Sequence, residues 1–331
     1  MVGATSIRFV AVALMLVAAA CDSAAVSPTT SSASVSASGT GVPRMGGMSM
    51  AYDPGSRLVV LFGTTEEDRK ATTWTWDGRA WTRQHPRSSP TNLRGELAYD
   101  WVSSSLILFG ATYPAEEIQT WAWKDGDWIQ LHPTAQPSGA GHYSFTLASD
   151  ARTKRVLAFG GCCAQDVLPS QTWSWDGSTW SRLQPKTMPT DRYGVNFAYD
   201  DAIQRTVLFG GYVRSSGSQS NDLWTWDGGT WVRQYPSTTP PPDLANAAIA
   251  YDGLHKNIVL LFRSGKYDVE TWTWDGQNWT PQHPSAFPLA TIQYQMAWDE
   301  ATAQLLLFDI VTSPQPPQTW IWTGSNWERK A

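Results

Sequence analysis

The sequence predicts an all-β protein built from six repeated units of four antiparallel strands, and three observations carry that prediction. First, eighteen of the 20 tryptophans fall in one pattern, Trp-x-Trp-x4-Trp. The triplets are Trp74/Trp76/Trp81, Trp121/Trp123/Trp128, Trp173/Trp175/Trp180, Trp224/Trp226/Trp231, Trp272/Trp274/Trp279 and Trp320/Trp322/Trp327, their first members 47, 52, 51, 48 and 48 residues apart. A period of that size marks stacked supersecondary units. Second, each unit carries short alternating or apolar runs of strand length. Third, a turn-forming Gly recurs between the second and third Trp.

The fourth unit serves for all. Val195-Asn-Phe-Ala-Tyr-Asp200 reads as a first strand ending in a turn-forming Asp. Thr206 to Phe209 is a mostly apolar second strand ending in Gly210-Gly211. Leu223 to Trp226 alternates as a third, and Asp227-Gly228 turns the chain into a fourth, Trp231 to Tyr235. Unbroken apolar runs such as Leu58 to Phe62 mark strands covered on both faces. Unit two slips its turn by one residue, to Lys124-Asp125-Gly126, while its Trp spacing holds; unit six has Thr323-Gly324. Five units close with Pro-x-x-x-Pro, from Pro86/Pro90 to Pro284/Pro288. Proline donates no ladder hydrogen bond, so it ends the fourth strand and guards an exposed edge.

Six four-stranded sheets, each apolar on both faces, pack radially as a β-propeller. The expected blades are residues 43–90, 91–137, 138–189, 190–242, 243–288 and 289–331. Indole rings at one depth in six equivalent units suit a scaffold rather than a sugar-stacking site, which takes a few rings on one side. Trp101 stands outside the pattern, in the first turn of unit two, and is expected at the surface. The first strand and the fourth strand of the ring belong to their own terminal units, so closure is expected by packing without strand exchange, unless the segment near Val42 adds a strand.

An apolar strand ending in Gly-Gly (Gly160-Gly161, Gly210-Gly211), followed by an aromatic strand and a further Trp, resembles the kelch repeat, to whose superfamily the central domain of galactose oxidase belongs. The resemblance spans residues 43–331. Units five and six depart from it with Arg263 and Asp309 in place of the glycine, and units one and two keep a single Gly. Ser174-Trp-Asp-Gly-Ser-Thr-Trp180 is similar to the Asp-box of sialidase-like propellers, but there Asp and Gly are separated by one residue, so an ordinary hairpin is expected here.

Residues 1–20 read as an export signal: Arg8 precedes an apolar run, Phe9 to Ala20, too short to span a bilayer, which takes about 20 residues. The run ends in Ala18-Ala19-Ala20-Cys21, which resembles the bacterial lipobox and implies a lipidated Cys21; Ala-x-Ala also suits ordinary signal peptidase, leaving soluble secretion as the alternative. Residues 21–42 are rich in Ser, Thr and Ala and predict a flexible tether with a reach of roughly 25 Å. The expected location is the outer face of the cytoplasmic membrane or the cell surface, with the lipid as the one membrane contact and the propeller a monomer.

Net charge is −5 and no basic stripe is evident, which argues against nucleic acid as a partner. Besides Cys21 the chain has Cys162 and Cys163 alone. Adjacent thiols in an oxidising compartment predict a vicinal disulfide shaping loop 162–172.

Strand alternation puts the connections after second and fourth strands on one face, and these vary between units, so function is expected there. Its charged candidates include Glu66, Glu67, Asp68, Arg69 and Lys70 in unit one, Glu116 and Glu117 in unit two, and Lys266, Tyr267 and Asp268 in unit five. Near the start of the first strands stand Arg44, Arg94 and Arg192, with His142 and Tyr143 in unit three; guanidinium groups around a channel mouth would suit a carboxylate or another anion.

The kelch resemblance raises copper-oxidase chemistry, which needs His and Tyr ligands. His85, His132 and His283 occupy one repeated place where units three and four have Gln184 and Tyr235, and His142 and His255 are too few for such a site. No cofactor and no metal are expected, and no catalytic pair is legible. The expectation is a non-catalytic binding scaffold presenting its variable face to a protein or glycan at the cell envelope; the alternative is a carbohydrate-active enzyme, sialidase-like or oxidase-like, with its site at the channel mouth.

Overall fold

The computed structural model describes residues 41–137, 145–161, 169–242, 245–265, 268–288, 293–310 and 315–330. They form a six-bladed β-propeller of four-stranded antiparallel blades. Blade one comprises Met45–Asp53, Leu58–Thr65, Ala71–Trp76 and Trp81–Arg83. Blade two comprises Leu93–Asp100, Ser105–Thr112, Ile118–Lys124 and Asp127–Leu131. Blade three is Thr146–Asp150, Arg155–Gly160, Gln171–Trp175 and Trp180–Arg182. Blade four is Asn196–Asp200, Arg205–Phe209, Leu223–Trp226 and Trp231–Gln234. Blade five is Ala245–Asp252, Asn257–Ser264, Asp268–Trp274 and Trp279–Gln282, and blade six is Gln293–Asp299, Gln304–Ile310, Gln318–Trp322 and Trp327–Lys330. A small three-stranded sheet, Arg192–Tyr193, Tyr212–Val213 and Ser218–Gln219, extends blade four at its rim.

The inner strands share a local sequence logic. Each ends in a large apolar residue, Ala, a further residue and Asp: Met50-Ala51-Tyr52-Asp53 in blade one, Phe197-Ala198-Tyr199-Asp200 in blade four, Met296-Ala297-Trp298-Asp299 in blade six. The Asp Oδ1 accepts the amide two residues on, at 3.0 Å for Asp53 to Gly55 and 2.9 Å for Asp100 to Val102, and the same bond recurs in all six blades. This carboxylate-to-backbone bond makes the turn into the second strand. The residue four beyond the Asp takes a positive φ each time, from 52° at Ser104 to 60° at Arg57.

Fifteen of the eighteen pattern tryptophans are buried, and Trp121, Trp173 and Trp272 are partly so. The third Trp of each triplet is the seam residue. Its ring meets a Phe on the second strand of the preceding blade: Trp128 on Phe62 at 5.3 Å, Trp180 on Phe109 at 4.5 Å, Trp231 on Phe159 at 5.7 Å, Trp279 on Phe209 at 5.0 Å. Its indole N–H donates to a Thr hydroxyl on that blade's third strand, as Trp128 does to Thr73 (2.9 Å), Trp180 to Thr120 (3.1 Å), Trp231 to Thr172 (3.0 Å) and Trp327 to Thr271 (3.0 Å). The bond satisfies a buried donor that would otherwise cost stability.

Two further devices join the blades. The glycines of the outer hairpins lie under the first turn of the preceding blade: a Cβ on Gly177 would approach Val102 to 2.7 Å, and one on Gly276 would approach Ile203 to 2.7 Å. Gly126, in the slipped turn of blade two, meets nothing within 4 Å. The Pro-x-x-x-Pro segments do more than end a strand. Their second proline is buried in every case, and the residue midway docks on the next blade, for example Ser88 N to Asp127 Oδ1 (3.0 Å), Thr187 N to Thr230 Oγ1 (3.0 Å) and Ala286 N to Asn326 Oδ1 (2.9 Å).

No strand passes between terminal blades. Blades one and six each take four strands from their own segment, and their inner strands touch each other as the other neighbours do. Val42 is buried in the core between them instead of adding a strand.

Candidate functional site

The connections after second strands and the segments leading into inner strands lie on one face, as the alternation of strand direction requires. Three cavities open along it or beneath it. One is the channel mouth, about 260 Å³, lined by residues that include Arg94, Glu96, Thr146, Arg192, Tyr193 and Gln293. Below it the channel proper holds about 320 Å³ between the six inner strands. The third, about 310 Å³, is a cleft between blades one and two. These volumes sit near the low end of the roughly 300–1,000 Å³ usual for small-molecule sites.

The arginines near the inner-strand starts differ in what holds them. Arg192 is 1% exposed and its guanidinium forms a bidentate pair with Asp222, with further bonds to Thr190 Oγ1 (2.8 Å), Thr190 O (2.9 Å) and Gly210 O (3.0 Å). Burial works against the Asp222 carboxylate, but the hydrogen bonds from Arg192 and Trp224 outweigh it and hold its pKa below the ordinary value. This guanidinium braces the rim of blade four. Arg44 reaches across the ring junction to Gln315 O at 2.7 Å. Arg94 is exposed, and its guanidinium carbon stands 4.7 Å over the Tyr113 ring. The structure brings Arg94 and Arg192 to one channel mouth but does not gather three available guanidinium groups there. His142, Tyr143, Cys21, Cys162 and Cys163 lie outside the described residues, as do Lys266 and Tyr267.

The cleft collects residues from four places in the sequence. Thr64 and Thr65 end the second strand of blade one, and Glu66 and Arg69 come from the connection that follows. Asn92 and Arg94 lead into blade two, and Tyr113, 44% exposed, follows its second strand. The backbone is pinned on both sides: Thr65 N bonds Lys70 O (2.9 Å), Arg69 N bonds Thr65 O (3.1 Å), and Tyr113 N bonds Asn92 O (2.9 Å). Asp68 is taken by Lys70 at 3.0 Å and by the Thr65 hydroxyl. An aromatic ring beside guanidinium, carboxylate, amide and hydroxyl groups can stack on an apolar face and hydrogen-bond a polyhydroxylated edge at once. Tyr113 and Asn92 escaped the sequence reading because each is an ordinary loop residue until the ring places them together.

Glu96 is the titratable group of the channel. It stands at the neck between mouth and channel and accepts a bond from Ser49 Oγ at 3.0 Å, while Ser49 Oγ accepts Leu97 N at 2.7 Å. Although channel space touches it, protein surrounds it, and burial raises its pKa to about 7 against the small opposing effect of Ser49. Asp309, which stands where four other blades have glycine, is fully buried. It accepts Gln318 N (3.1 Å) and Trp320 Nε1 (3.1 Å), and burial raises it to about 7. That departure from Gly-Gly therefore supplies the acceptor for the first Trp of blade six. In blades two to five a side chain two residues before that Trp does so, as Gln119 does for Trp121 (2.8 Å) and Gln171 for Trp173 (2.8 Å).

His85, His132 and His283 are exposed at the ends of three separate outer strands, and Tyr235 in the same place is 81% exposed. His255 pairs with Asp252 at 2.6 Å in the turn on the opposite face. Among the described residues no group of three His, Cys, Asp or Glu is placed to hold a metal. Trp101, 36% exposed, carries Lys154 Nζ 4.0 Å over its ring.

Neither a protein-family profile nor a curated protein sequence matches the chain. Solved structures do match in fold. The chain is similar to the six-bladed lectin of Aleuria aurantia, described with a fucose recognition mode, at 12% identity and a TM-score of 0.58, covering 86% of this chain and 93% of that one. It is similar to AofleA from Arthrobotrys oligospora (13% identity, TM-score 0.56, 85% and 84% covered) and to the SapL1 lectin solved with α-methyl fucoside (11%, 0.58, 85% and 94%). At these identities the likeness establishes the six-bladed propeller.

Proposed function

We propose that the protein is an exported carbohydrate-binding propeller that retains glycans without turning them over, its site the cleft between blades one and two. The observation that carries this reading is the meeting of Tyr113, Arg94, Asn92, Glu66 and Thr65 around one pinned cleft on the variable face. The fucose-recognising lectins to which the fold is similar agree with it in ligand class.

In this reading residues 1–20 direct export, Cys21 carries the lipid, residues 22–42 act as the tether, and the units descend from a kelch-like repeat. A glycan array probed with the purified protein and with Tyr113→Ala tests the function. Retention by the wild type and its loss in the variant is the expected result. Retention unchanged by Tyr113→Ala moves the site elsewhere, and absence of retention on any glycan defeats the reading.

A further inference from the structure

We propose that the cleft between blades one and two selects glycans that carry a carboxylate, with Arg94 and Arg69 as the groups that receive it. The proposal rests on the glycan-binding reading and names the sugar class.

Charge within the cleft is the first argument. Its lining has two guanidinium groups, Arg69 and Arg94, against one carboxylate, Glu66. The nearby Asp68 does not redress the balance, because Lys70 and the Thr65 hydroxyl hold it. A neutral sugar would leave the second guanidinium without a counter-charge, whereas a sugar acid supplies one.

Availability is the second. Arg192 and Arg44 have acceptors of their own, Asp222 and Gln315 O. The side chains of Arg94 and Arg69 have no ion pair or hydrogen-bond acceptor among the described residues. A guanidinium offers a planar fork of donors that fits a carboxylate with two parallel bonds, the strongest simple pairing the cleft can make.

Positioning is the third. A Cβ on Gly47 would stand 3.2 Å from Arg94 Cγ, so glycine there leaves room for the stem of Arg94 to lie against blade one, while the ring of Tyr113 lies under its guanidinium. Arg69 sits at φ 55° in a loop closed by two backbone bonds. Groups held before the ligand arrives lose less freedom on binding. Glu66 and Asn92 are left to address sugar hydroxyls, with Glu66 accepting from them.

The test uses the methyl glycosides of galacturonic, glucuronic and N-acetylneuraminic acids, each beside its own methyl ester, titrated into the purified protein by calorimetry. The ester keeps ring and hydroxyls and removes the charge. The expected result is at least one acid binding about tenfold or more tighter than its ester. That preference should weaken as salt rises and fall to about unity in Arg94→Ala and in Arg69→Ala. Arg94→Lys, which keeps the charge and loses the fork, should retain only part of it. Acid and ester binding equally well would overturn the carboxylate assignment and leave the glycan reading standing. Failure of every saccharide, acid, ester or neutral, would overturn both. Should Arg94→Ala misfold, Arg69→Ala on its exposed loop gives the same comparison.

Discussion

Trp81 donates its indole N–H to Thr319 Oγ1 at 2.9 Å, joining the first blade to the last across 238 positions of sequence. The ring of Trp81 also meets Phe308 edge-on at 5.4 Å. The same Trp–Thr and Trp–Phe contacts hold the internal seams, so the propeller closes with the seam chemistry it uses elsewhere. Removing the acceptor strands a buried donor, which costs about 1–3 kcal/mol. Thr319→Val should therefore lower stability by that amount, and Thr120→Val, at the seam of blades two and three, by a similar amount. Urea unfolding of both variants checks this; a Thr319→Val protein as stable as wild type would mean that the closing seam relies on packing alone.

One seam lacks the bond. Leu223 occupies the Thr position in blade four, and Trp279 Nε1 is buried with no acceptor among the described residues. Trp231, which has Thr172, is the natural comparison. Trp231→Phe removes a hydrogen bond and leaves a hydroxyl unpaired, whereas Trp279→Phe removes an orphan donor along with part of the ring. Both substitutions lose apolar contact, but Trp279→Phe should be milder by roughly 1–2 kcal/mol. Equal destabilisation in parallel denaturant titrations would show that the indole N–H contributes nothing at these seams.

The glycines of the outer hairpins separate two reasons for being glycine. Gly126 and Gly177 both hold a positive φ, 81° and 97°. Only Gly177 also has a neighbour, Val102, where its Cβ would go. Gly126→Ala should cost about 1–2 kcal/mol for backbone conformation, and Gly177→Ala measurably more, because the first turn of blade two must move. Thermal unfolding of the pair decides whether blade docking or turn geometry governs the position.

What the sequence made legible was whatever repeats in it. The Trp triplets, the turn Asp of each inner strand and the paired prolines each recur, and each specifies a local conformation. Partners were not legible. Arg192 looks like Arg94 until Asp222, thirty residues on, claims it. Thr73 and Thr120 look like ordinary strand residues until a Trp from the next blade reaches them. Glu66 belongs to unit one and Asn92 and Tyr113 to unit two, and the cleft forms only when blades one and two pack. Glu96 resembles a solvated carboxylate in sequence and turns out to stand in an enclosed channel, because the strand that carries it is innermost.

Those enclosed acids set the pH dependence of stability. Burial raises Glu96 from 4.5 to about 7, Asp309 from 3.8 to about 7, and Asp200 from 3.8 to about 6. Between the unfolded and folded values the native state binds more protons than the unfolded chain, so stability falls as pH rises. A fully buried group such as Asp309 contributes at most about 1.4 kcal/mol per pH unit over that window. Asp77, Asp127 and Asp222 have the opposite sign: their pKa values are lowered, so the stability they provide is lost as pH falls below about 4. The protein should therefore be most stable near pH 4–5 and weaken steadily towards pH 7. Glu96→Gln keeps an acceptor for Ser49 and removes the titration, so its urea midpoint should decline less between pH 5 and pH 7.5 than that of the wild type. A wild-type midpoint that rises across this interval would contradict the burial of all three acids.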